Sequence, residues 1–271
     1  MLRPSTIRAL VTRQVLLFTR NPVRGFELFF WPVVQLLVWG FVTVFLQQQV
    51  GGQVEGGGFP QFITFLIGAI ILWDALFRSQ QGVAISFLED VWTRNLLNIF
   101  AAPIRMTEYL AATFSVGVLR VLVTAVVLAI IAMMAYSFNL FQFEWTLIAF
   151  YGNLMMFGWA LGIISISMIL RYGHAAESLA WAVPFMIQPF ACVFYGVEVL
   201  PKWMQWIALA MPPAHIFEGM RSILAGKGMD AGHLLLATGL NGFYLGASGL
   251  LFSHMLGLAR KRGLLVKAAS S

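Results

Sequence analysis

Residues 109–136 read YLAATFSVGVLRVLVTAVVLAIIAMMAY, and this stretch decides the class of the protein. Its only charged residue is Arg120, and the rest is almost entirely apolar. A helix needs about 20 predominantly apolar residues to cross the roughly 30 Å of hydrocarbon in a bilayer. The stretch is therefore predicted to be a membrane-spanning helix.

The whole chain has the composition of an integral membrane protein. Of its 271 residues, 60% are hydrophobic and 10% are charged, whereas soluble domains are about half apolar and a quarter charged. Further apolar runs precede and follow residues 109–136. The six predicted spans are 27–47, 60–88, 108–136, 144–170, 178–198 and 232–259. The predicted fold class is an all-α integral membrane protein, with one transmembrane domain over residues 1–271.

Positively charged residues cluster in every second gap between these runs. Cytoplasmic loops carry an excess of Lys and Arg, so this bias predicts that both termini are cytoplasmic. The residues that set the bias lie before the first run, at or after the second, after the fourth and after the last: Arg3, Arg8, Arg13, Arg20 and Arg24; Arg78, Arg94 and Arg105; Arg171; Arg260, Lys261, Arg262 and Lys267.

Three segments outside the spans have helical patterns of their own. Residues 1–26 mix arginines with apolar residues at helical spacing, which predicts an amphipathic helix on the inner membrane surface. Residues 89–102 predict a cytoplasmic helix that Pro103 ends. Residues 199–230 are external in this topology yet rich in Trp and Pro, and they predict a re-entrant helical hairpin before the last span.

Several polar side chains fall inside the predicted spans, where charge is costly and usually functional. Asp74 and Arg78 lie one helical turn apart and can pair with each other, while Arg120 is an alternative partner for Asp74 from the next span. A pair between Asp74 and Arg120 would either tie two helices together or serve a gate or bind a polar group of a substrate. Gln35 and Gln188 are predicted to line a cavity or to bond between helices.

Two motifs lie in the connecting segments. The first is EDVWTRNLLNIFAAPI over residues 89–104, and the second joins YGVEVLPKW at 195–203 to MPPAHIFEGMR at 211–221. In these loops of a six-span chain, both motifs resemble those of the membrane subunits of the ABC type-2 (ABC-2) exporters. In layout the resemblance covers nearly the whole chain.

The resemblance implies a half-transporter that pairs with a second permease copy, as a homodimer rather than a heterodimer, within membrane lipid. It implies that residues 89–102 form a coupling helix seated on a cytoplasmic ABC ATPase subunit. The implied coupling residues are Glu89, Trp92, Arg94, Leu97 and Phe100. The predicted substrate pathway or gate combines the polar residues inside the spans with residues of the second motif that the resemblance implies: Gln35, Asp74, Arg120 and Gln188, and Tyr195, Pro201, Trp203 and Glu218. The cargo would be an amphipathic, lipid-like or lipid-linked molecule, exported across a bacterial inner membrane.

The chain lacks the residues that ATP hydrolysis requires. A phosphate-binding loop reads G-x-x-x-x-G-K-[ST], and Gly226-Lys227-Gly228-Met229 has neither the spacing nor the hydroxyl residue. The chain is therefore predicted to be a transport subunit rather than an enzyme and to hold no cofactor. ATP and Mg would be bound by the partner subunit. The histidines are scattered without ligand spacing, and no basic patch predicts nucleic-acid binding.

Two other functions stay open from the sequence. An ion-coupled secondary transporter would use Asp74, Arg120 or Glu177. A rhomboid-like intramembrane serine protease would use the Gly246-Ala247-Ser248-Gly249 motif, but its serine needs a histidine within hydrogen-bond reach. His254 lies six residues further on the same predicted helix, on a different face from Ser248, which argues against the protease.

Overall fold

The computed structural model describes residues 3–50 and 58–261, and within these ranges the chain is helical without strands. The all-α prediction is confirmed for this part of the chain. Its ten α-helices are α1 (Pro4–Thr19), α2 (Pro22–Val50), α3 (Gly58–Trp92), α4 (Leu96–Ala101), α5 (Met106–Tyr136), α6 (Glu144–Tyr172), α7 (Glu177–Ile187), α8 (Lys202–Leu209), α9 (Pro212–Leu224) and α10 (Ala231–Lys261). Short 3-10 turns lie at Leu140–Phe143, Gly173–Ala176 and Val197–Val199.

Four segments of the described chain are long and apolar enough to cross a membrane. They are Gly25–Phe45, Met106–Tyr136, Leu140–Tyr172 and Ala231–Ala259. At 35 residues and about 1.5 Å per residue, α3 is also long enough. From its centre onward α3 is less apolar, because it carries Asp74, Arg78 and neighbouring glutamines. The count of six spans stays a prediction.

Helix α3 forms the centre of the bundle and is buried along nearly all of its length from Phe65 to Val91. Helix α6 approaches it closely through Gly158 and Gly162. A Cβ atom at Gly158 would lie 2.5 Å from the carbonyl oxygen of Leu76, and one at Gly162 would lie 2.6 Å from the Cβ of Val83. Small residues spaced by four allow such close contacts between membrane helices, so glycine is required at this crossing.

The turn between α3 and α4 is built around a left-handed residue. Arg94 has φ 54°, and the N–H of Asn95 donates to the carbonyl oxygen of Asp90 at 2.9 Å. A left-handed residue followed by such a hydrogen bond to the last helical turn is a common C-terminal cap of helices. The predicted single helix at 89–102 is thus divided in the structure, because its first residues continue α3 to Trp92 and α4 begins only at Leu96.

The predicted fifth span over 178–198 is helical for only part of its length. Helix α7 ends at Ile187, because Pro189, two residues further on, supplies no N–H to continue the helical hydrogen bonds. The Tyr195 hydroxyl then donates to the carbonyl oxygen of Pro189 at 2.7 Å. The chain turns here and continues into α8 and α9.

An ion pair holds the segment after α7 against α9. Glu218 accepts the N–H of Val197 at 2.9 Å and pairs with Arg221 at 2.8 Å, and Arg221 donates to the carbonyl oxygen of Cys192 at 3.0 Å. Burial alone would raise the pKa of Glu218. The hydrogen bond and charge of Arg221, together with the hydrogen bond from the Val197 N–H, leave that pKa below its ordinary value.

Candidate functional site

A cavity of about 590 Å³ runs along one face of α3. The α3 residues that line it are spaced three or four apart, as one face of a helix requires, apart from Phe77 beside the face. Five helices contribute to this groove: Phe18 of α1; Glu27, Leu28, Trp31, Pro32 and Gln35 of α2; Asp74, Phe77, Arg78, Gln81, Ile85, Glu89 and Trp92 of α3; Arg120 of α5; Trp181 and Phe185 of α7.

The groove is open along the side formed by α2 and α7. Trp31 on α2 is 60% exposed, and Trp181 and Phe185 on α7 are 45% and 52% exposed. From Asp74 to Trp92, α3 rises roughly 27 Å at about 1.5 Å per residue. The groove therefore combines an aromatic, open side with a long polar face of α3, which suits a molecule that has both an apolar and a polar part.

The charged residues of the groove are held by specific contacts. Arg78 Nε donates to Asp74 Oδ1 at 3.2 Å, and both side chains are less than a tenth exposed. Asp74 is thus bonded to Arg78, which is one of the two partners that the sequence offers it. The Arg120 guanidinium carbon lies 3.9 Å from the centre of the Phe18 ring, a cation–π contact.

Two of the sequence-predicted coupling residues also line the groove. Glu89 is 4% exposed, and Trp92 is 40% exposed with its indole N–H donating to Glu177 at 3.2 Å. Around the adjoining turn and α4, the side chains of Thr93, Arg94 and Asn98 are exposed, while Leu96 and Ile99 pack into the bundle. The side chains of Leu97 and Phe100 lie outside the part of the structure that is described.

Helix α1 is bonded to both ends of the connection from α3 to α5. Arg3 donates from its backbone N–H and from Nε to Glu108, at 3.0 and 3.1 Å, and its guanidinium also bonds the carbonyl oxygen of Pro103. Arg13 pairs with Asp90, whose other oxygen accepts the Tyr109 hydroxyl at 2.8 Å. Asp90 and Glu108 are fully buried, so α1 is a packed part of this end of the bundle.

The other predicted pathway residues lie in or beside the segment from α7 to α9. Trp203 is 64% exposed on α8, Pro201 precedes that helix, and Tyr195 and Glu218 hold the turn as described above. Gln188 donates its backbone N–H to the carbonyl oxygen of Pro184 at 3.0 Å. The described lining of the groove includes Gln35, Asp74 and Arg120 but not these five residues.

Sequence reasoning missed the residues that form the aromatic side of the groove. Phe18, Trp31, Trp181 and Phe185 belong to α1, α2 and α7, and α7 is far from the other two helices in sequence. A single sequence shows each of them only as an aromatic in or near an apolar run, which is the ordinary pattern of membrane helices. Within residues 3–50 and 58–261, no three His, Cys, Asp or Glu side chains come together as a metal site would need.

The comparison with known families identifies the class of the protein. A family model described as ABC-2 type transporter matches residues 5–225, which is most of the chain. The chain therefore belongs to the ABC-2 type transporter family, as its resemblance to that family predicts. It is a multi-pass membrane protein and the permease component of a transporter, and this family implies an ABC ATPase partner. No curated protein matches the chain.

Proposed function

We propose that this chain is the permease subunit of an ATP-driven exporter, and that it moves an amphipathic molecule outward from the cytoplasm or from the inner leaflet. The observation that carries the proposal is the continuity of α3. One buried helix bears the polar face of the groove and then ends at the turn before α4. A force on α4 is therefore applied to the helix that lines the groove.

The proposed topology has six spans with both termini cytoplasmic, in a bacterial inner membrane. Four spans are the long apolar segments, and α3 and the α7 region supply the other two. The arginine distribution places α4 on the cytoplasmic side and α8 and α9 on the external side. Trp203 and Trp206 are 64% and 76% exposed on α8, as expected for a helix at the headgroup level.

The groove suits the proposed cargo because it separates two environments. Half-exposed aromatic residues of α2 and α7 border its open side, where the acyl chains of the inner leaflet would lie. Asp74, Arg78 and Gln81 form a polar wall on α3. An amphipathic, lipid-like or lipid-linked molecule would keep its apolar part at the open side and its polar part against α3.

ATP hydrolysis is assigned to a separate cytoplasmic subunit, which would contact the exposed face around α4. Arg94 and Asn98 are exposed there, and Leu97 and Phe100 are the apolar residues that the family resemblance selects. A second copy of the chain would complete the transporter. The apolar surface of α2, which includes Phe41 at 61% and Phe45 at 56% exposure, is available to that copy or to lipid.

The test is affinity purification of the tagged chain from its native membrane, with co-purifying proteins identified by mass. We expect an ATPase with a phosphate-binding loop at equal stoichiometry, and we expect Leu97→Asp to lose it. Gln142→Asp is the matched control, because Gln142 is exposed in the 3-10 turn before α6 and lies outside the predicted spans and outside α4 and its turn, and it should retain the ATPase. Recovery of the chain without any ATPase, as a clean homomer, would instead support the ion-coupled transporter.

A further inference from the structure

We propose that Gln80 and Pro184 form a latch between α3 and α7, and that this latch sets how far the open side of the groove can widen. The described lining of the groove includes neither residue. The inference rests on the proposed function only in treating the groove as the path of the cargo. Three observations carry it: the hydrogen bond that Pro184 removes, the donor that replaces it, and the position of both beside the groove.

Pro184 lies inside α7 and removes one of its hydrogen bonds. In an α-helix the N–H of each residue donates to the carbonyl oxygen four residues earlier, so the carbonyl of Ala180 would accept from residue 184. Proline has no N–H, and its ring also crowds that carbonyl. Ala180 and Pro184 are both buried, so water cannot supply the missing donor. Helix α7 is therefore weakened between these two residues.

The missing donor is supplied by Gln80 of α3. Gln80 Nε2 donates to the carbonyl oxygen of Ala180 at 2.9 Å and to Ser165 Oγ of α6 at 3.2 Å. All three residues are fully buried. A carbonyl that is buried without a donor costs more free energy than an ordinary hydrogen bond contributes. The Gln80 bond thus stabilises α7 against α3 at the weak point of α7.

The backbone of Gln80 is itself packed tightly against α6. A Cβ atom at Gly158 would lie 3.1 Å from the Gln80 backbone nitrogen, and one at Gly162 would lie 3.0 Å from the Gln80 carbonyl oxygen. These are the two glycines at the crossing of α3 and α6. The Gln80 side chain therefore extends from the close-packed part of the bundle, and α7 is the element that its bond restrains.

Helix α7 carries aromatic residues of the groove on either side of its weak point. Trp181 and Phe185 line the groove one helical turn apart, and they are 45% and 52% exposed. The Phe185 ring also contacts the ring of Phe77 on α3, with 5.5 Å between the ring centres. A bend at Pro184 that carries Phe185 away from Phe77 would widen the open side of the groove. Release of the Gln80 bond would permit this bend.

The latch connects the open side of the groove to the helix that we assign to coupling. Gln80 belongs to α3, which bears the polar face of the groove and ends at the turn before α4. A displacement of α3 would change the distance between Gln80 and the Ala180 carbonyl directly. The bond from Trp92 to Glu177, at the start of α7, would be displaced with it. The state of the ATPase would thereby reach the open side of the groove.

The test is the motion of a spin label on α7, measured by electron paramagnetic resonance on the purified full chain in nanodiscs. The label is attached through Met186→Cys, at an exposed position next to Phe185. Cys192 is buried, and the wild type treated with the same reagent gives the background. Gln80→Met nearly keeps the side-chain size and removes the donor. We expect the mobile fraction of the label to rise about 2- to 12-fold, the range of one hydrogen bond converted to populations.

Two further variants separate the latch from a general loss of packing. Ser165→Ala removes the other partner of Gln80 but leaves the Ala180 bond, so the mobile fraction should stay at the wild-type value. Pro184→Ala restores the helical N–H, so Gln80→Met in that background should leave the mobile fraction near the wild-type value. An unchanged mobile fraction in Gln80→Met alone would overturn the latch. An equal rise in the Pro184→Ala background would overturn the role of the proline.

A label at Met134→Cys on α5 reports on the bundle as a whole. Met134 is 83% exposed, and its label should have the same mobility in every variant. If both labels become mobile in Gln80→Met, that variant has lost its packing, and Pro184→Ala alone decides. Its label at residue 186 should become less mobile, because α7 regains a hydrogen bond, and no decrease would overturn the latch. The assay contains no ATPase, so its outcome is independent of whether an ATPase co-purifies with the chain.

Discussion

The contact between α3 and α6 leads to a prediction about Gly158. A methyl group at this position would lie 2.5 Å from the Leu76 carbonyl oxygen and 2.7 Å from the Ser79 Cβ. Carbon and oxygen atoms in close helix contacts are normally about 3.3–3.6 Å apart. Gly158→Ala therefore requires the two helices to separate locally by roughly 1 Å. The obstacle is backbone, so a side-chain rotation cannot remove it.

The expected cost follows from the energetics of overpacking. Forcing an extra methyl group into a packed site typically costs about 1–3 kcal/mol, and one kcal/mol shifts the midpoint of a chain of this size by roughly 2–4 °C. We expect Gly158→Ala to lower the thermal midpoint in detergent by roughly 2–12 °C. The separation also displaces α3 itself, so binding of lipid in the groove should weaken.

Gly152 is the matched control on the same helix. A Cβ atom there would meet nothing within 4 Å, and alanine is the better helix former by about 1 kcal/mol, so Gly152→Ala should leave stability unchanged or raise it. The assay is the monodisperse fraction that remains in size-exclusion chromatography after heating. A Gly158→Ala protein as stable as Gly152→Ala would refute the close contact of α3 and α6.

Two further predictions concern the turn after α3 and the ion pair of α9. Arg94→Gly should stabilise the fold by up to about 1 kcal/mol, because the left-handed conformation costs a non-glycine residue about 1–2 kcal/mol and the greater freedom of glycine in the unfolded chain offsets roughly 0.5–1 kcal/mol of that gain. Loss of the ATPase in this variant, with stability retained, would assign the coupling role to the guanidinium. Glu218 has a lowered pKa, so its stabilisation is present above the pKa of the unfolded chain and is lost as pH falls through the lower folded value. The thermal midpoint should therefore decrease in this acid range for the wild type, and a Glu218→Gln protein that decreases equally would contradict the assignment.

The long apolar helices were predictable from composition and periodicity. The sequence predicts spans at 108–136, 144–170 and 232–259, and the structure has helices at Met106–Tyr136, Glu144–Tyr172 and Ala231–Lys261. Continuous hydrophobicity over 20 or more residues leaves few alternatives to a helix, because every backbone polar group in lipid must bond within its own segment. The fifth predicted span departs from this pattern after Ile187, where Pro189 and the hydrogen bond of the Tyr195 hydroxyl redirect the chain.

The long-range contacts of the site were not predictable. Arg3 and Glu108 are 105 residues apart, and Arg13 and Asp90 are 77 residues apart. One sequence records the charges but not which of the many possible pairs forms. The same limit explains why residues assigned to coupling, Glu89 and Trp92, and residues assigned to the pathway, Asp74 and Arg120, line one groove. The sequence separates them into different predicted segments. In the structure, the continuity of α3 to Trp92 joins Asp74 with Glu89 and Trp92, and the packing of α5 against α3 adds Arg120.

The Asp74–Arg78 pair has a consequence for the biogenesis of the protein. A lone Asp or Arg at the centre of a helix opposes insertion by the translocon by about 2.5–3.5 kcal/mol. These two side chains bond within a single helix, so the pair exists as soon as α3 has folded, before α5 or α6 has been synthesised. In the proposed topology, in which α3 is a span, it can leave the translocon with these two charges already neutralised, and the spacing of four residues between them would be under selection for insertion as well as for transport.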